Sequence, residues 1–483
     1  MSTLETLEQD SSDREIDHTD NSSAKSPRQG LFAAFWRWHF FASLIVIPIF
    51  AMLAITGMIH MFRFDIWNLQ HPGVMYNSAS VPATTTFLPI ETQAASALKD
   101  HPDLKVTGIV EPLGNRNTRI FMEDSEGTFH DVYVNPFTGK VTGEIIPSHE
   151  FTDLAIRLHG NLTKGKFGDG IIELASCWAI VMALTGYYMY FRNRKSRIAY
   201  SKISKTKNRH ALVGFAAGFG ILFLVVSGLP WTGFWGDTLQ TWAAGKGLHI
   251  TLWGEDPGAA SNFATALKKS TSGSQPAPWA LGESQLPKSN VNDIPSIGLD
   301  SAISVADKTG LPHPYLVLVP DGKEGVYSVM ADSWSVPDGP AFKDVSKEAV
   351  VHVDQYSGKI LATYGYDKFS LTAKLVDQGV SIHEGRKLGV VTKVTSTSFC
   401  LAILFLCVTG PIMWWKRRPK KAGLSAPRGR MPIADSPAIA ITLIVLGVVL
   451  PLFGASLIVV LLLDKFLIRR TPKLIGALNS KSD

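Results

Sequence analysis

Long apolar runs alternate with polar segments along this chain of 483 residues. A helix that crosses a bilayer needs about 20 mostly apolar residues. Four runs meet this requirement, and they cover residues 40–62, 171–191, 211–231 and 394–415. The segments between the first and second runs, and between the third and fourth, are long and mix both charge signs. The pattern therefore predicts four spanning helices and two domains outside the membrane.

A fifth apolar region covers residues 437–468 and has the interior sequence LPLFGAS, Leu450 to Ser456. As one helix it would be roughly 48 Å long at about 1.5 Å per residue, whereas a bilayer core is about 30 Å thick. The proline and glycine of LPLFGAS can turn the chain back, and the tail from Asp464 to Lys473 is basic. We therefore favour a short helical hairpin that returns to the cytoplasm over one long tilted helix.

The spans contain a repeated spacing of histidine and a hydroxyl-glycine pair. Thr185-Gly186 follows His159 by 26 residues, and Thr409-Gly410 follows His383 by the same number. A second spacing is also doubled. Thr56-Gly57 follows His39 by 17 residues, and Ser227-Gly228 follows His210 by 17. The order of the motifs along the chain indicates a tandem duplication.

The duplication extends into the outer segments. Residues 90–99 look helical, and strand-like stretches follow at 106–110, 119–122 and 132–134. The sequence VYVNPFTGKV, Val132 to Val141, contains the turn signals Asn-Pro and Thr-Gly. VHVDQYSGKI, Val351 to Ile360, repeats this pattern. Both outer segments are therefore predicted to contain the same hairpin, and a Gly/Ser/Pro-rich stretch at 270–295 is predicted to be an exposed insertion.

The predicted fold is a mainly α integral membrane protein with a four-helix core from a tandem repeat, a C-terminal apolar hairpin and two small α+β outer domains. In chain order we expect a disordered cytoplasmic tail (1–30), a first span (31–62), a first outer domain (63–150), an amphipathic lead-in with the second span (151–191), a basic loop (192–209), a third span (210–231), a second outer domain with the insertion (232–388), a fourth span (389–415), a basic loop (416–436), the apolar hairpin or fifth span (437–468) and a tail (469–483).

Charge placement assigns the sides of the membrane. The net charge is +6, and residues 192–209 and 416–430 are rich in Lys and Arg without any acid. Such clusters flanking spanning helices are typical of cytoplasmic loops. The outer domains are then periplasmic, and we expect no nucleic-acid partner for the basic runs. Cys177, Cys400 and Cys407 all fall inside spans, where packing is their usual role.

Four of the 13 histidines occupy matched positions in the membrane repeat. His39 and His210 begin outward-going helices at the inner face, whereas His159 and His383 precede inward-going helices at the outer face. Two histidines on facing helices can hold a b-type haem in a bundle core. The pattern thus predicts two b-type haems, with axial pairs His39–His210 and His159–His383. A single interfacial histidine would prove little, but matched positions favour ligands over chance.

His60 lies at the outer end of the first span, and its repeat position is Trp231. Because His60 is not duplicated, we rank it as a reserve ligand. No C-x-x-C-H, Walker motif, strand-linked G-x-G-x-x-G or H-E-x-x-H occurs in the sequence. The sequence therefore contains no motif for covalent haem attachment, for nucleotide-dependent chemistry or for zinc-dependent hydrolysis.

The combined motifs resemble the PepSY-associated transmembrane family, iron-regulated membrane proteins that include ferrisiderophore reductases. The resemblance is carried by WRWHFFASLIVIPIFAMLAITG (Trp36 to Gly57), LHGNL with ELASCWAIVMALTG (Leu158 to Leu162, Glu173 to Gly186), RHALVGF with SGLPWTGFWG (Arg209 to Phe215, Ser227 to Gly236) and IHEGRKLG with VTGPIMWWKRR (Ile382 to Gly389, Val408 to Arg418). The hairpins at Val132 and Val351 match PepSY modules.

This resemblance implies a haem-dependent ferric-chelate reductase in the bacterial inner membrane. Its substrate would be a ferric siderophore or another ferric chelate in the periplasm. Its electron donor would be a quinol or a cytoplasmic reductase, since the fused flavin domain of some relatives is missing here. Two alternatives stay open. One is a non-redox PepSY scaffold that binds proteins or peptides, and the other is a transporter, which the low mid-span charge disfavours.

Overall fold

A computed structural model describes residues 27–77, 86–192, 205–245, 261–262, 281, 284–291, 293–331, 334–337, 339–418, 424 and 437–478. The predictions for the tail before residue 27, for most of both basic loops and for the first half of the insertion concern residues outside these ranges. Within them the protein is mostly helical, with an antiparallel sheet and five helices long and apolar enough to cross a membrane.

The helices and strands follow in chain order. The helices are α1 (Pro27–Met61), α2 (Arg63–Gln70), α3 (Pro72–Met75), α4 (Ile90–Asp100), α5 (Phe151–Asn161), α6 (Gly165–Arg192), α7 (Lys205–Gly228), α8 (Trp235–Gly245), α9 (Leu299–Asp307), α10 (Pro340–Lys343), α11 (Leu371–His383), α12 (Val390–Arg417), α13 (Pro437–Val449), α14 (Pro451–Leu463) and α15 (Pro472–Leu478). The strands are β1 (Lys105–Val110), β2 (Thr118–Glu123), β3 (Phe129–Val134), β4 (Val141–Ile145), β5 (Ser261–Asn262), β6 (Gln285–Leu286), β7 (Leu316–Leu318), β8 (Val326–Ala331), β9 (Ala349–Asp354) and β10 (Ile360–Gly365).

The four predicted spans are confirmed, and they form a bundle. Helices α1, α6, α7 and α12 supply the candidate spans Leu31–Met61, Gly165–Arg192, Lys205–Trp231 and Val390–Lys416. Helix α1 packs against α6 and α12, and α7 packs against the same two helices. Helices α1 and α7 are therefore diagonal in the bundle, as are α6 and α12. Cys177 and Cys400 are buried free thiols in its core, which agrees with a packing role.

One sheet lies outside the bundle, and it joins the two outer segments. The order of its eight strands is β10-β9-β8-β7-β1-β2-β3-β4, with every neighbouring pair antiparallel. The junction is β1 with β7, where Gly108 pairs with Leu318 and Val110 with Leu316. Both segments thus lie on one side of the bundle. The prediction of two separate small domains is not confirmed, because main-chain hydrogen bonds make the sheet continuous.

Both predicted hairpins are confirmed, and their turns share one chemistry. The Asn135 side chain accepts from the backbone N–H groups of Phe137 and Thr138 at 2.9 and 3.2 Å. Asp354 likewise accepts from Tyr356 and Ser357 at 3.0 and 2.8 Å. Gly139 and Gly358 take φ of 71° and 68°, a left-handed conformation that glycine adopts without strain. These turns fix the registers of β3 with β4 and β9 with β10.

The predicted exposure of the insertion is confirmed at Val291 and Ile294 but is wrong at Leu281 and Ser289. Leu281 is fully buried among residues of the sheet and of α11, including Phe121 and Leu316. Ser289 is also buried, since its hydroxyl donates to the Gly325 carbonyl and accepts from the Gln355 N–H. Ser289 satisfies buried backbone groups here, and composition alone does not distinguish that role from solvent exposure.

The C-terminal apolar region has the form that a hairpin predicts. Helices α13 and α14 meet at Leu450, whose φ and ψ of −121° and 82° interrupt the helix. Gly447 and Gly454 then pack against each other without side chains between them. The turn lies on the sheet side, because the Trp235 indole donates to the Val449 carbonyl at 2.7 Å. The chain returns to the inner ends of the bundle, where Arg37 donates to the Leu478 carbonyl.

Candidate functional site

The four repeated histidines lie near the two ends of the bundle. His39 is inside α1 and His210 is inside α7, each close to the start of its spanning segment. His159 is in the last turns of α5, which ends where Leu162 adopts φ of 53° before α6 begins. His383 is the last residue of α11, before the turn into α12. Each of these imidazoles is half-buried.

Each imidazole is held by a hydroxyl group on another helix. The partner is the Thr or Ser of the repeated hydroxyl-glycine pair, and the contacts are reciprocal within each half. The Nδ1–hydroxyl distances are 3.3 Å for His39 and Thr185, 3.1 Å for His159 and Thr56, 2.8 Å for His210 and Thr409, and 3.0 Å for His383 and Ser227. The spacing seen in the sequence therefore reports contacts between helices as well as repetition along them.

The hydrogen-bond directions determine the tautomer. Each of the four hydroxyls donates its own hydrogen to the carbonyl four residues earlier, at 2.7 to 2.9 Å. The hydroxyl can then only accept from the imidazole, so Nδ1 carries the proton. For His39 the Met182 carbonyl, 2.9 Å from Nδ1, requires the same tautomer. In the described part of the chain, Nε2 of these four residues forms no hydrogen bond, so its lone pair is available for a metal ion.

Three of the four glycines in these pairs lie against an imidazole ring. A Cβ atom at Gly57 would lie 3.0 Å from Cε1 of His159, a contact that side chains rarely make. The corresponding distances are 3.4 Å from Gly186 to His39 and 3.5 Å from Gly228 to His383. At Gly410 the nearest atom is Cδ1 of Ile47 at 3.6 Å, so this glycine is not close to His210. Of these four glycines, Gly57 is therefore the one at which an added Cβ would crowd the ring, whereas at Gly186 and Gly228 a Cβ would make ordinary contact.

The outer pair has the separation expected for two imidazoles on one metal ion. The ring centroids of His159 and His383 are 6.4 Å apart, and the ring planes are inclined at 79°. A metal–imidazole bond of about 2.0–2.1 Å, with the ring centre roughly 1.2 Å beyond the nitrogen, places two such centroids about 6.5 Å apart. The separation of these two rings therefore matches that of two imidazole ligands on one metal ion.

The inner pair is built the same way on the diagonal helices α1 and α7. His39 and His210 lie at the same end of these two helices, each near the start of its spanning segment. The hydroxyl of Thr185 on α6 bonds the His39 ring, and the hydroxyl of Thr409 on α12 bonds the His210 ring. Small and flat ligands are accommodated between diagonal helices of a bundle, where side chains from facing helices converge.

His60 has different surroundings from the four repeated histidines. Its Nε2 lies 3.3 Å from Glu384 and 3.3 Å from the Arg63 guanidinium. Arg386 donates to the other oxygen of Glu384 at 2.6 Å, and its guanidinium lies 5.1 Å from the Trp334 ring centre. The nitrogen that would bind iron is therefore already engaged, which argues against His60 as a reserve ligand.

A buried charged cluster lies beside the outer pair. It consists of Arg63, Glu384, Arg386 and Trp334, together with His60. Burial alone would raise the pKa of Glu384, but Arg386, His60 and Arg63 outweigh it and lower the pKa to about 2. The carboxylate is therefore ionised at neutral pH. Two guanidinium groups against one carboxylate give the cluster a net positive charge.

Sequence reasoning found the histidines but missed two features of the site. The first is the contact between each imidazole and a Thr or Ser hydroxyl. The recurrence of these hydroxyl residues at fixed distances from the histidines was the signal for that contact. The charged cluster left no such signal, because Arg63 and Trp334 are far apart in sequence and are not duplicated. Among the described residues, no group of three or more His, Cys, Asp or Glu side chains converges as a metal site.

The fold and the site define a membrane protein with a four-helix core, paired histidines at both ends of that core and an outer antiparallel sheet. The sequence model of the PepSY-associated TM region matches residues 36–417. The chain therefore belongs to the PepSY-associated transmembrane family. No curated protein matches the chain.

Proposed function

We propose that this protein is a di-haem transmembrane oxidoreductase that passes electrons across the inner membrane to ferric chelates in the periplasm. The observation that supports it most directly is the hydrogen bonding of the four histidines. A hydroxyl group from a neighbouring helix holds Nδ1 of each, and this leaves Nε2 available. Ordinary packing does not require the same tautomer at four positions, whereas axial ligation does.

The four histidines would hold two haems at different depths in the membrane. His39 and His210 would hold an inner b-type haem, and His159 and His383 an outer one. His39 and His60 are separated along α1 by about 31 Å at about 1.5 Å per residue, so they cannot share one haem. When bound, haem supplies one-electron redox chemistry. The hydroxyls of Thr56, Thr185, Ser227 and Thr409 would orient the imidazoles, and the apolar bundle core would exclude water between the two sites.

The shared organisation of the two halves supports a tandem duplication as the origin of this arrangement. In each half a hydroxyl-glycine pair faces the histidine of the opposite motif, and four strands follow in the same order. The two outer segments would then be PepSY-like units fused through β1 and β7. Their position on one side of the bundle agrees with a periplasmic substrate domain, given the cytoplasmic assignment of the basic loops.

The substrate would be a ferric siderophore or a related ferric chelate. Ferric iron is a hard cation that oxygen-rich chelators hold tightly, and one-electron reduction weakens that hold and releases ferrous iron. The electron donor would be a quinol or a cytoplasmic reductase. The membrane lipid is the remaining partner, through the exposed apolar faces of α12, α13 and α14.

The test is haem stoichiometry in single variants. The full-length protein, expressed with ample haem and purified in detergent, should show two low-spin b-type haems in reduced-minus-oxidised spectra. His210→Ala should lose roughly half the haem and His159→Ala the other half, because each pair serves one iron. Either variant should stop reduction of a ferric chelate by the reduced protein.

His60→Ala provides the matched control, since His60 lies at the same outer end but is bound to Glu384. It should retain two haems. If all four repeated-histidine variants keep two low-spin haems, the ligand assignment is wrong. If the unmutated protein binds no haem, the oxidoreductase is excluded and the PepSY scaffold becomes the better description.

A further inference from the structure

Two short helices outside the spans expose apolar side chains. Helix α5 precedes the span α6, and α11 precedes the span α12. On α5, Phe151 and Leu154 are 48% and 44% exposed, and on α11, Leu371 and Leu375 are 74% and 64% exposed. A surface helix that faces water normally turns its apolar side chains towards the protein and its polar ones outwards. Both helices depart from this rule.

The sides of these helices that face the protein include polar residues. Thr152 and Asp153 are buried on α5, and Asp377 and Ser381 are buried on α11. The Thr152 hydroxyl accepts from the Trp67 indole N–H at 2.7 Å. Asp153 and Asp377 each precede the outer histidine of their half by six residues, so they hold equivalent positions in the repeat. The reversed polarity therefore occurs twice, on both copies of the same element.

Helix α9, which packs on the sheet, shows the ordinary arrangement. It buries Leu299 and Ile303, and it exposes Ser301, Ser304 and Asp307. This is the pattern of a helix that has water on its outer side. The same chain thus contains a helix built for water, and α5 and α11 are built differently from it.

The two helices lie on opposite edges of the bundle. Helix α5 packs against α1 and α6, whereas α11 packs against α7 and α12. Because α1 is diagonal to α7 and α6 is diagonal to α12, these two edges face away from each other. A single interface with another protein would cover one edge at a time, whereas lipid surrounds the bundle and covers both. The position of the helices therefore favours lipid.

The exposed apolar positions continue from these helices into the spans. The turn after α5 contains Gly165 and the turn after α11 contains Gly389, both with φ of 54° and both six residues after the outer histidine of their half. Directly after these turns, Phe167 on α6 and Val390 and Val391 on α12 are exposed. Large exposed apolar surfaces of this kind mark contact with a membrane or with another protein. Here they lead without a polar break into helices that lipid surrounds.

We propose that α5 and α11 lie in the interface of the leaflet on the sheet side, with their apolar faces against phospholipid acyl chains. Helices of this kind insert the apolar face about 5–10 Å into the boundary between headgroups and acyl chains. His159 is in the last turns of α5, and His383 is the last residue of α11. Lipid contact therefore anchors at the membrane surface the two segments that hold the outer pair. The inference goes beyond the proposed function and needs no haem.

The test is fluorescence quenching from the lipid and from the water. Leu154→Cys and Leu375→Cys are labelled with an environment-sensitive fluorophore in the full-length protein, which is placed in nanodiscs of phosphatidylethanolamine and phosphatidylglycerol. Both labels should show blue-shifted emission. They should be quenched more by phospholipid with a nitroxide near the headgroup than by one with a nitroxide at the chain end, and not by iodide in the water. The parent protein, labelled in parallel, gives the background from Cys177, Cys400 and Cys407.

Ser304→Cys on α9 is the matched control, because Ser304 is exposed on a helix of ordinary polarity. Its label should be quenched by iodide and not by the lipid nitroxides. Leu371→Cys, one turn before Leu375, gives a second position on α11 if Leu375→Cys does not fold. Labels at Leu154 and at α11 that behave like the one at Ser304 would place the helices in water. Labels shielded from both quenchers would show that protein covers these faces. Either result would overturn the inference.

The quenching assay needs neither haem nor an electron donor, so the two proposals fail separately. A haem-free protein whose labels on α5 and α11 report lipid would exclude the oxidoreductase and support the interfacial helices. A di-haem protein whose labels report water would do the reverse.

Discussion

The Nδ1 atom of His159 lies 3.1 Å from the hydroxyl of Thr56, although the two residues are on helices separated by the whole first outer segment. The same kind of contact joins His39 of α1 to Thr185 of α6, the helix that follows α5. Helix α1 therefore supplies one imidazole and one hydroxyl, while α5 supplies the second imidazole and α6 the second hydroxyl. The second half repeats the arrangement.

Removing the Thr56 hydroxyl should weaken the outer haem selectively. Thr56→Val conserves volume but leaves the His159 ring without its acceptor, and loss of such an outer-shell partner typically costs about 10–100-fold in metal-site affinity. Haem content and the spectrum of the outer site report the effect. Thr56→Ser is the matched control, because Ser227 already plays this part in the second half. A Thr56→Val protein with an unaltered outer haem would contradict the orienting role.

A methyl group at Gly57 should disturb the outer site more than one at Gly410 disturbs the inner site. Gly57→Ala places a Cβ 3.0 Å from His159, so the ring must move, whereas the nearest atom to a Cβ at Gly410 is Ile47 at 3.6 Å. We expect a broadened or shifted outer-haem spectrum in Gly57→Ala and an ordinary inner-haem spectrum in Gly410→Ala. Equal effects of the two substitutions would show that ring approach is not what these glycines provide.

Local patterns in the sequence predicted much of this structure. The spans follow from apolar length, and both hairpins follow from turn residues whose side chains bond the local backbone, Asn135 and Asp354. The recurrent spacing of the four histidines and their hydroxyl partners is also visible in the sequence, while the pairing of these histidines around haem stays a prediction. These features depend on residues close in sequence or on an internal copy, and a single sequence contains both kinds of information.

The features that sequence did not predict depend on contacts between distant segments. The junction of Gly108 with Leu318 merges the two outer segments, and no local pattern selects β1 rather than another edge as the partner of β7. Burial of Leu281 in the sheet core likewise contradicts its polar surroundings in sequence. The charged cluster around Glu384 assembles only when α1, α11 and the Trp334 segment meet.

Neutralising Glu384 should destabilise the outer end of the bundle. Glu384→Gln leaves the buried Arg386 guanidinium without its carboxylate, and breaking one side of a buried pair typically costs about 3–5 kcal/mol. Glu324→Gln, in the exposed pair of Lys288 and Glu324, should cost at most about 1 kcal/mol. Thermal unfolding of both variants in detergent measures the difference. Equal melting temperatures would refute the structural role assigned to the charged cluster.

The outer sheet should lose stability in acid because of His352. Burial lowers the pKa of this residue to about 3, whereas an unfolded histidine titrates near 6.5. The unfolded state therefore binds a proton that the folded state does not, and stability falls as the pH drops from about 6.5 towards 3. Between pH 7 and 5 the loss is about 2 kcal/mol for one such group.

His352→Asn should remove this part of the acid sensitivity. The measurement is the fall in melting temperature from pH 7 to pH 5, compared between the parent protein and the variant, so that other titrating groups cancel. His130 is a useful contrast: burial lowers its pKa, but hydrogen bonds to Glu144 and Asp124 outweigh burial and raise it. His130→Gln should therefore increase the acid sensitivity. If the melting temperature of the His352→Asn variant falls as much between pH 7 and pH 5 as that of the parent protein, His352 does not cause the acid sensitivity.

Reporter fusions test the sidedness of the membrane segments. A fusion after Lys195 and another after Lys420 should report the cytoplasm, because acid-free basic loops are retained on that side. A fusion at Ser274 should report the periplasm. A periplasmic signal after Lys195 would overturn the assignment of all four core spans.

The junction between β1 and β7 also has a consequence for biogenesis. When β1 to β4 emerge from the membrane, the strand that completes their sheet has not yet been synthesised, and two further spans must insert before it arrives. Until then β1 is an open edge with unpaired N–H and C=O groups, which is a template for association with other chains. Pairing of such distant segments is also slow, because the chain between them must be closed into a loop first. We therefore expect the first half made alone to depend on a periplasmic chaperone or to aggregate, whereas co-expression of residues 205–483 as a separate chain should rescue it.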